Sequence, residues 1–160
     1  MYITYNEFCT LYEAVDEKLF NRLNIQAARV MDRHTTGVDG VKKLKTAFPQ
    51  DAEDALAVMH CAGSIVNLLA QIQEAEASAA RVRGYESTEN GLHGKVISSV
   101  TAGNESISFS AASPGTSIDA AVKDPIARNR LIWETIREYL SGVKDSNGVN
   151  LLFMGPYPRQ

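Results

Sequence analysis

The residues best able to do chemistry in this 160-residue chain are three histidines and two cysteines. His60 and Cys61 are neighbours in an apolar run with helical periodicity. Their side chains therefore point about 100° apart and cannot chelate one metal ion as an i, i+4 pair would. His34, His93 and Cys9 lie in other parts of the sequence. A free cysteine in an apolar helix usually behaves as a small buried hydrophobic side chain. These residues predict neither a metal site nor an activated nucleophile.

The remaining chemical candidate is an acidic cluster, Asp51, Glu53 and Asp54. Paired carboxylates can act as general acid and base, but acids also favour the first turn of a helix because they complement its positive dipole end. The structural interpretation is favoured. The sequence contains no glycine-rich phosphate loop and no nucleophile elbow. We expect no enzyme activity, no metal and no cofactor.

Composition and charge exclude several classes of protein. With 44% apolar and 22% charged residues, the chain resembles an ordinary globular domain. Its net charge is −3, whereas nucleic-acid-binding domains usually have a basic excess, because neutralising phosphates drives their affinity. The lysines of the segment VKKLK, namely Lys42, Lys43 and Lys45, are interpreted as a solvated face.

Cysteine usage and the N-terminal sequence indicate a reduced, cytosolic protein. The start MYITYNEF lacks a basic region followed by an apolar stretch, so we expect no signal peptide. The longest charge-free apolar segment, residues 55–70, is shorter than the ~20 residues that cross a bilayer. We expect no membrane span.

Hydrophobic periodicity predicts a mainly α protein, a small helical bundle formed by a domain of residues 1–142. A first amphipathic helix begins at Asp16, a plausible N-cap, and ends before Gly37. A short helical element follows over residues 41–47. The longest helix begins at the acidic cluster, and its wide apolar stripe must be covered on most sides.

The last helix has the strongest start signal. Asp124 is its predicted N-cap, Pro125 its first residue and Gly142 its end. Its predicted apolar face consists of Ile126, Ile132, Trp133, Ile136, Tyr139 and Leu140.

Between the helices, the sequence changes character. Residues 84–94 are polar and glycine-bearing, as in a loop. Residues 95–110 alternate with a two-residue period around a turn at 102–104, which predicts a β-hairpin insertion. Its apolar face is thin, so this hairpin needs a partner, either the helices or strands of another copy.

The C-terminal residues 143–160 are unusual because they contain four consecutive apolar residues, whereas chain ends are usually polar. Pro156 and Pro158 exclude a helix there. Two interpretations stay open. The segment folds back as an edge strand over its own core, or it is an extended C-terminal arm that docks onto another protein.

Three stretches resemble the head–tail connector family of long-tailed phages and prophages. Residues 1–37 resemble its N-terminus: a Tyr-rich start, an acidic turn and a helix ending in an Asp-x-x-Thr segment at 32–35. Residues 97–110, ISSVTAGNESISFS, are similar to its Ser-rich hairpin. Residues 126–158 are similar to its last helix and apolar tail, with Leu-Leu-aromatic-x-Gly at 151–155. The order and spacing agree over most of the chain.

The resemblance implies a structural virion protein, a head–tail connector (adaptor) that forms a ring beneath the portal, expected to be dodecameric. This neck ring would extend the DNA channel and dock the stopper or other tail-junction proteins. Phage DNA would pass through without specific binding, because an acidic wall repels phosphate. The protein would be found at the head–tail interface of the virion, and in the host cytoplasm during viral assembly.

The resemblance also assigns roles to residues. The portal-binding arm would comprise Leu151, Leu152, Phe153, Met154, Gly155, Pro156 and Tyr157. The hairpin would face a neighbouring subunit, the lumen or the next ring through Val100, Thr101, Ala102, Gly103, Asn104, Glu105, Ser106, Ile107 and Phe109. The alternative is a small helical partner-binding regulatory protein that acts through its apolar C-terminal tail. A closed ring through heterologous contacts would distinguish the adaptor from a monomeric or two-fold dimeric regulator.

Overall fold

The structure, a computed structural model, describes residues 1–88, 91–96, 99–102, 105–108 and 117–158, with the backbone alone described from 79 to 108. Its helices are α1 (Tyr5–Leu11), α2 (Glu17–His34), α3 (Lys43–Thr46), α4 (Ala52–Val82), α5 (Ser117–Lys123) and α6 (Pro125–Leu140). Its strands are β1 (Arg83–Thr88), β2 (Gly91–Val96), β3 (Ser99–Ala102) and β4 (Glu105–Ser108). The prediction of a mainly α protein is confirmed.

The first two helices begin at side-chain caps. Asp16 accepts hydrogen bonds from the amides of Lys18 (3.0 Å) and Leu19 (3.1 Å), as expected for the N-cap of α2. The sequence analysis missed α1, which begins with a capping box. The Thr4 hydroxyl accepts from the Glu7 amide at 3.4 Å, and the Glu7 carboxylate accepts from the Thr4 amide at 2.7 Å. This Thr-x-x-Glu spacing is a recognised helix-start signal.

The acidic cluster has the structural role that the sequence favoured. Asp51 caps α4 by accepting hydrogen bonds from the amides of Glu53 (2.9 Å) and Asp54 (3.2 Å). Helix α6 begins at Pro125, and the Asp124 carboxylate accepts from the amide of Ile126 at 2.8 Å. These helix starts are confirmed.

The described residues divide into two compact units, Met1–Ala70 with Asn129–Gln160, and Gln71–Arg128. The first unit contains a core in which side chains of α1, α2, α4 and α6 meet. Each fully buried large apolar side chain stabilises such a core by about 1.5–3 kcal/mol. The core residues are Ile3, Phe8, Phe20, Leu23, Ala27, Met31, Leu44, Val58, Cys61, Ala62, Ile65, Val66, Ile132, Ile136, Leu140, Val143 and Leu151.

The second unit contains the strands and α5. β1 pairs antiparallel with β2 within a stretch for which the sequence indicated a loop, and β3 pairs antiparallel with β4, with Val100 opposite Ile107. In the same unit, Arg128 forms an ion pair with Glu76 and donates to the carbonyl of Ala121 at 3.2 Å. One prediction was wrong: Ile126, placed on the apolar face of the last helix, is 76% exposed.

Helix α4 raises the question of a membrane span. By length and composition alone, its stretch Ala52–Ser78 could cross a bilayer. The core helix of a soluble protein passes the same test, and Val58, Ile65 and Val66 of this stretch are fully buried in the first unit. The expectation of no membrane span stays a prediction.

Candidate functional site

The C-terminal segment, defined here as residues 150–157, is positioned by two turns that follow α6. Gly142 adopts a φ of +89°, a left-handed conformation that ends the helix where the sequence predicted. Gly148, with a φ of +76°, closes the next turn. Lys144 and Asn150 then pair antiparallel, and the Leu151 amide donates to the Val143 carbonyl at 2.9 Å. The segment therefore returns onto the first unit.

Asp145 organises the turn that leads into the segment. It is 5% exposed, and its carboxylate accepts hydrogen bonds from the amides of Asn147 and Val149, both at 2.9 Å. The same carboxylate accepts from the Tyr157 hydroxyl at 2.5 Å. Partial burial, with Asp145 beside it, raises the pKa of Tyr157. The end of the segment is thus tied to its beginning.

The main anchor of the segment is a buried lysine. Lys43 is 0% exposed, and its ammonium donates to the carbonyls of Asn150 (3.2 Å), Leu151 (3.0 Å) and Phe153. Three acceptors use all three of its protons. Burial lowers the pKa of Lys43, while the charges of Asp145 and Asp39 oppose this shift. The interpretation of Lys43 as part of a solvated face was wrong; Lys42 and Lys45 are exposed as expected.

The loop between α2 and α3 provides a second anchor. The Asp39 carboxylate accepts from the Tyr157 amide at 2.8 Å, and this hydrogen bond lowers the pKa of Asp39. The Val38 amide donates to the Met154 carbonyl at 3.2 Å. A Cβ atom on Gly37 would lie 3.0 Å from the Gly155 carbonyl oxygen. A side chain at this position would force the loop and the segment slightly apart.

The anchors leave a small apolar surface exposed, which we call the apolar tip: Val38, Phe153 and Met154. These side chains are 75%, 46% and 50% exposed, respectively. The Phe153 ring lies 5.7 Å from the Lys43 ammonium, and a Cβ atom on Gly155 would collide with that ring. The tip therefore presents exposed apolar side chains on a backbone that hydrogen bonds hold in place.

The predicted arm residues differ in burial. Leu151 is 0% exposed within the core, and Leu152 packs against that core. Gly155 and Tyr157 are partly buried, whereas Phe153, Met154 and Pro156 are exposed. The described part of the predicted arm, residues 143–158, belongs to the same compact unit as residues 1–70. It thus folds back as one interpretation held, but through an isolated bridge between Lys144 and Asn150 and not as an edge strand.

The predicted hairpin site is described in part. The backbone of Val100, Thr101 and Ala102 pairs with that of Ile107, Ser106 and Glu105. Gly103, Asn104 and Phe109 lie outside the described residues. The role of these residues toward a neighbour or the lumen stays a prediction.

Sequence reasoning missed Lys43, Asp39 and Asp145, which hold the segment. A weak signal existed for Lys43. It lies four residues before the apolar Ala47, so a helix over these residues places both on one face. No comparable signal marks Asp39 or Asp145, because both act on residues brought near by folding.

Within the residues whose side chains are described, no group of three or more His, Cys, Asp or Glu could hold a metal ion. Comparison with known proteins does not assign the chain to a family. No protein-family model matches the chain, and neither curated protein sequences nor solved structures gave a significant match.

Proposed function

We propose that this protein is a structural virion protein of a tailed phage, a head–tail connector (adaptor) that forms a ring beneath the portal. The observation that carries the proposal is the apolar tip, exposed on a segment that buried hydrogen bonds hold in place. The resemblance of residues 1–37, 97–110 and 126–158 to connectors supplies the kind of partner. Non-catalytic assembly agrees with the paucity of catalytic groups in the sequence.

Anchoring of the segment favours docking. A flexible arm loses backbone freedom when it binds, at about 1–2 kcal/mol for each residue that becomes fixed. Here the backbone at 150–154 is already fixed by Lys43 and Val38. A groove on the partner protein can therefore bind Phe153 and Met154 on a backbone that is already ordered.

Within this proposal, burial limits the arm residues that are accessible to a portal. Leu151 is a core residue, and Tyr157 is engaged with Asp145 and Asp39. We assign portal contact to Phe153 and Met154, extended by Pro156. The other arm residues hold Phe153 and Met154 in position on the first unit.

The second part of the proposal concerns the segment at residues 95–110. We propose that it forms an inserted hairpin that contacts the neighbouring subunit or faces the lumen. The antiparallel register of β3 and β4 supports this geometry. Two strands alone are marginal in water, so a partner from the next subunit would stabilise them.

The test measures binding of the purified protein to its cognate portal ring. The key variant is Met154→Ser, and its matched control is Leu56→Ser, because both native side chains are 50% exposed. Loss of a central apolar contact of 2 kcal/mol or more weakens binding roughly 30-fold. We expect this loss for Met154→Ser and no comparable loss for Leu56→Ser.

Truncation is a poor test, because removing residues after Asn150 also removes the buried Leu151 and two acceptors of Lys43. Mass measurement of the complex gives the second readout. A closed ring of copies on the portal supports the adaptor. Absence of portal binding by the folded protein, or a one-to-one complex with a different partner, would contradict the adaptor proposal. Either result would favour the alternative, a partner-binding regulatory protein.

A further inference from the structure

A basic cleft lies on the first unit between the last turns of α2 and helix α3. Its volume is about 540 Å³. Four cationic side chains line it, together with one acid and one hydroxyl. The lining residues are Arg29, Asp32, Arg33, Thr36, Lys42 and Lys45.

The cations of this cleft are only partly neutralised. Lys45 pairs with Asp32 at 2.9 Å, and the Tyr2 hydroxyl also donates to Asp32. Arg29, Arg33 and Lys42 are exposed and have no carboxylate partner among the residues that the structure describes. The cleft therefore concentrates positive charge on a chain whose net charge is −3.

The backbone around the cleft is fixed. Thr36 and Lys42 form an antiparallel bridge, and the Thr36 hydroxyl donates to the Asp32 carbonyl at 2.5 Å. Arg29 and Arg33 are four residues apart on α2, so they are separated by about 6 Å of helix rise. Two guanidinium groups and one ammonium group can thus meet neighbouring charges of one extended anion.

We propose that this cleft binds the phosphodiester backbone of nucleic acid. One strand of duplex DNA presents a charge every ~3.4 Å along its axis, which supplies closely spaced anions to three unpaired cations. A protein ligand would have to crowd three mutually repelling carboxylates into the same space. The two arginines also favour phosphate, since the guanidinium fork matches its oxygens.

Binding of nucleic acid at this cleft is independent of the proposed portal contact, because it involves only the residues of the cleft. Phosphate contacts carry no base information, so binding here would not be sequence-specific. It would differ from the expectation of a wall that only repels phosphate, because this cleft is locally basic. Three contacts predict a slope of log affinity against log salt near −2.7, or about 40-fold weaker binding between about 50 and 200 mM salt.

The experiment measures fluorescence anisotropy of a labelled mixed-sequence DNA duplex with the full-length protein over a range of salt. Arg29→Glu with Arg33→Glu should abolish binding. The control, Lys18→Glu with Arg137→Glu, makes the same change in net charge at exposed positions outside the cleft and should retain it. Circular dichroism checks the fold of each variant.

A milder variant keeps the test valid if charge reversal impairs folding. Arg33→Gln with Lys42→Gln removes two of three contacts, so the slope should fall from about −2.7 to about −0.9. Unlabelled poly-glutamate serves as the carboxylate competitor and should compete poorly at equal charge. The proposal is overturned if the wild type fails to bind DNA, if the control loses binding equally, or if poly-glutamate competes as well as DNA. None of these results depends on binding to the portal.

Discussion

Replacement of Lys43 by Met tests whether the C-terminal segment is held by a buried ammonium. Methionine retains an unbranched apolar stem but donates no hydrogen bond. The carbonyls of Asn150, Leu151 and Phe153 then lose their donor. Each buried acceptor left unsatisfied costs about 1–3 kcal/mol.

The expected magnitude follows from the exposure of these acceptors. Leu151 is fully buried, whereas Asn150 is partly exposed and Phe153 is 46% exposed, so water can reach two of the three sites. The variant also escapes the desolvation of the Lys43 charge, which offsets part of the loss. We expect a net loss of about 1–3 kcal/mol, set mainly by the Leu151 carbonyl. For a protein of this size, this loss lowers Tm by roughly 3–9 °C.

Urea unfolding of Lys43→Met against Lys42→Met provides the measurement. Lys42 is the exposed neighbour of Lys43, so its replacement should change the free energy of unfolding by less than about 1 kcal/mol. Hydrogen exchange at the Leu151 amide should accelerate in Lys43→Met alone. If the two variants unfold at the same urea concentration, the reasoning about the buried anchor is refuted.

The pH dependence of Lys43 gives a second signature. Because burial lowers its pKa, the unfolded chain binds more protons between the folded pKa and the ordinary lysine value of about 10.4. The free energy of unfolding of the wild type should therefore rise with pH in this window relative to Lys43→Met. A parallel pH dependence of the two proteins would contradict this.

Three further predictions concern single side chains. Leu151→Ala should lower the free energy of unfolding by about 2–5 kcal/mol, because it opens a cavity in the core. Met154→Ala should change it by less than about 1 kcal/mol. Equal losses of the two variants in thermal melts would contradict the assigned burial. Burial raises the pKa of the Cys61 thiol to about 12, so a thiolate reagent should label Cys9 in the native protein and Cys61 only after unfolding, as peptide mapping can check. The pKa of Tyr157 is raised, so the folded protein keeps the Tyr157 hydroxyl proton to higher pH than the unfolded chain does. The stability that Tyr157 contributes to the fold is therefore lost as pH rises above about 10. Tyr157→Phe should therefore flatten the alkaline loss of stability.

Local signals predicted most of the helices. Asp16 and Asp124 are caps whose partners lie two or three residues away, so the sequence contains the whole interaction. Gly142 ends α6 for an equally local reason, its positive φ. The Thr4 and Glu7 capping box that starts α1 is just as local, and the same reading would have found it.

The candidate site could not be predicted in this way, because its contacts join residues far apart in sequence. Lys43 and Leu151 are separated by 108 positions, and Asp39 and Tyr157 by 118. The neighbouring Lys42 and Lys43 look equivalent in the segment VKKLK, yet one lines an exposed cleft and the other is buried.

This difference follows from what folds over α3. An ammonium is buried only where several acceptors replace its water. The carbonyls of Asn150, Leu151 and Phe153 become such acceptors only after the turns at Gly142 and Gly148 return the chain. The same return that buries Lys43 leaves Phe153 and Met154 exposed, because a segment lying across the surface has one inner and one outer side. The lysine and the apolar tip are therefore two consequences of one packing event. A substitution that releases the lysine should also disorder the tip, and portal binding by Lys43→Met should fall even though Lys43 is shielded from any partner.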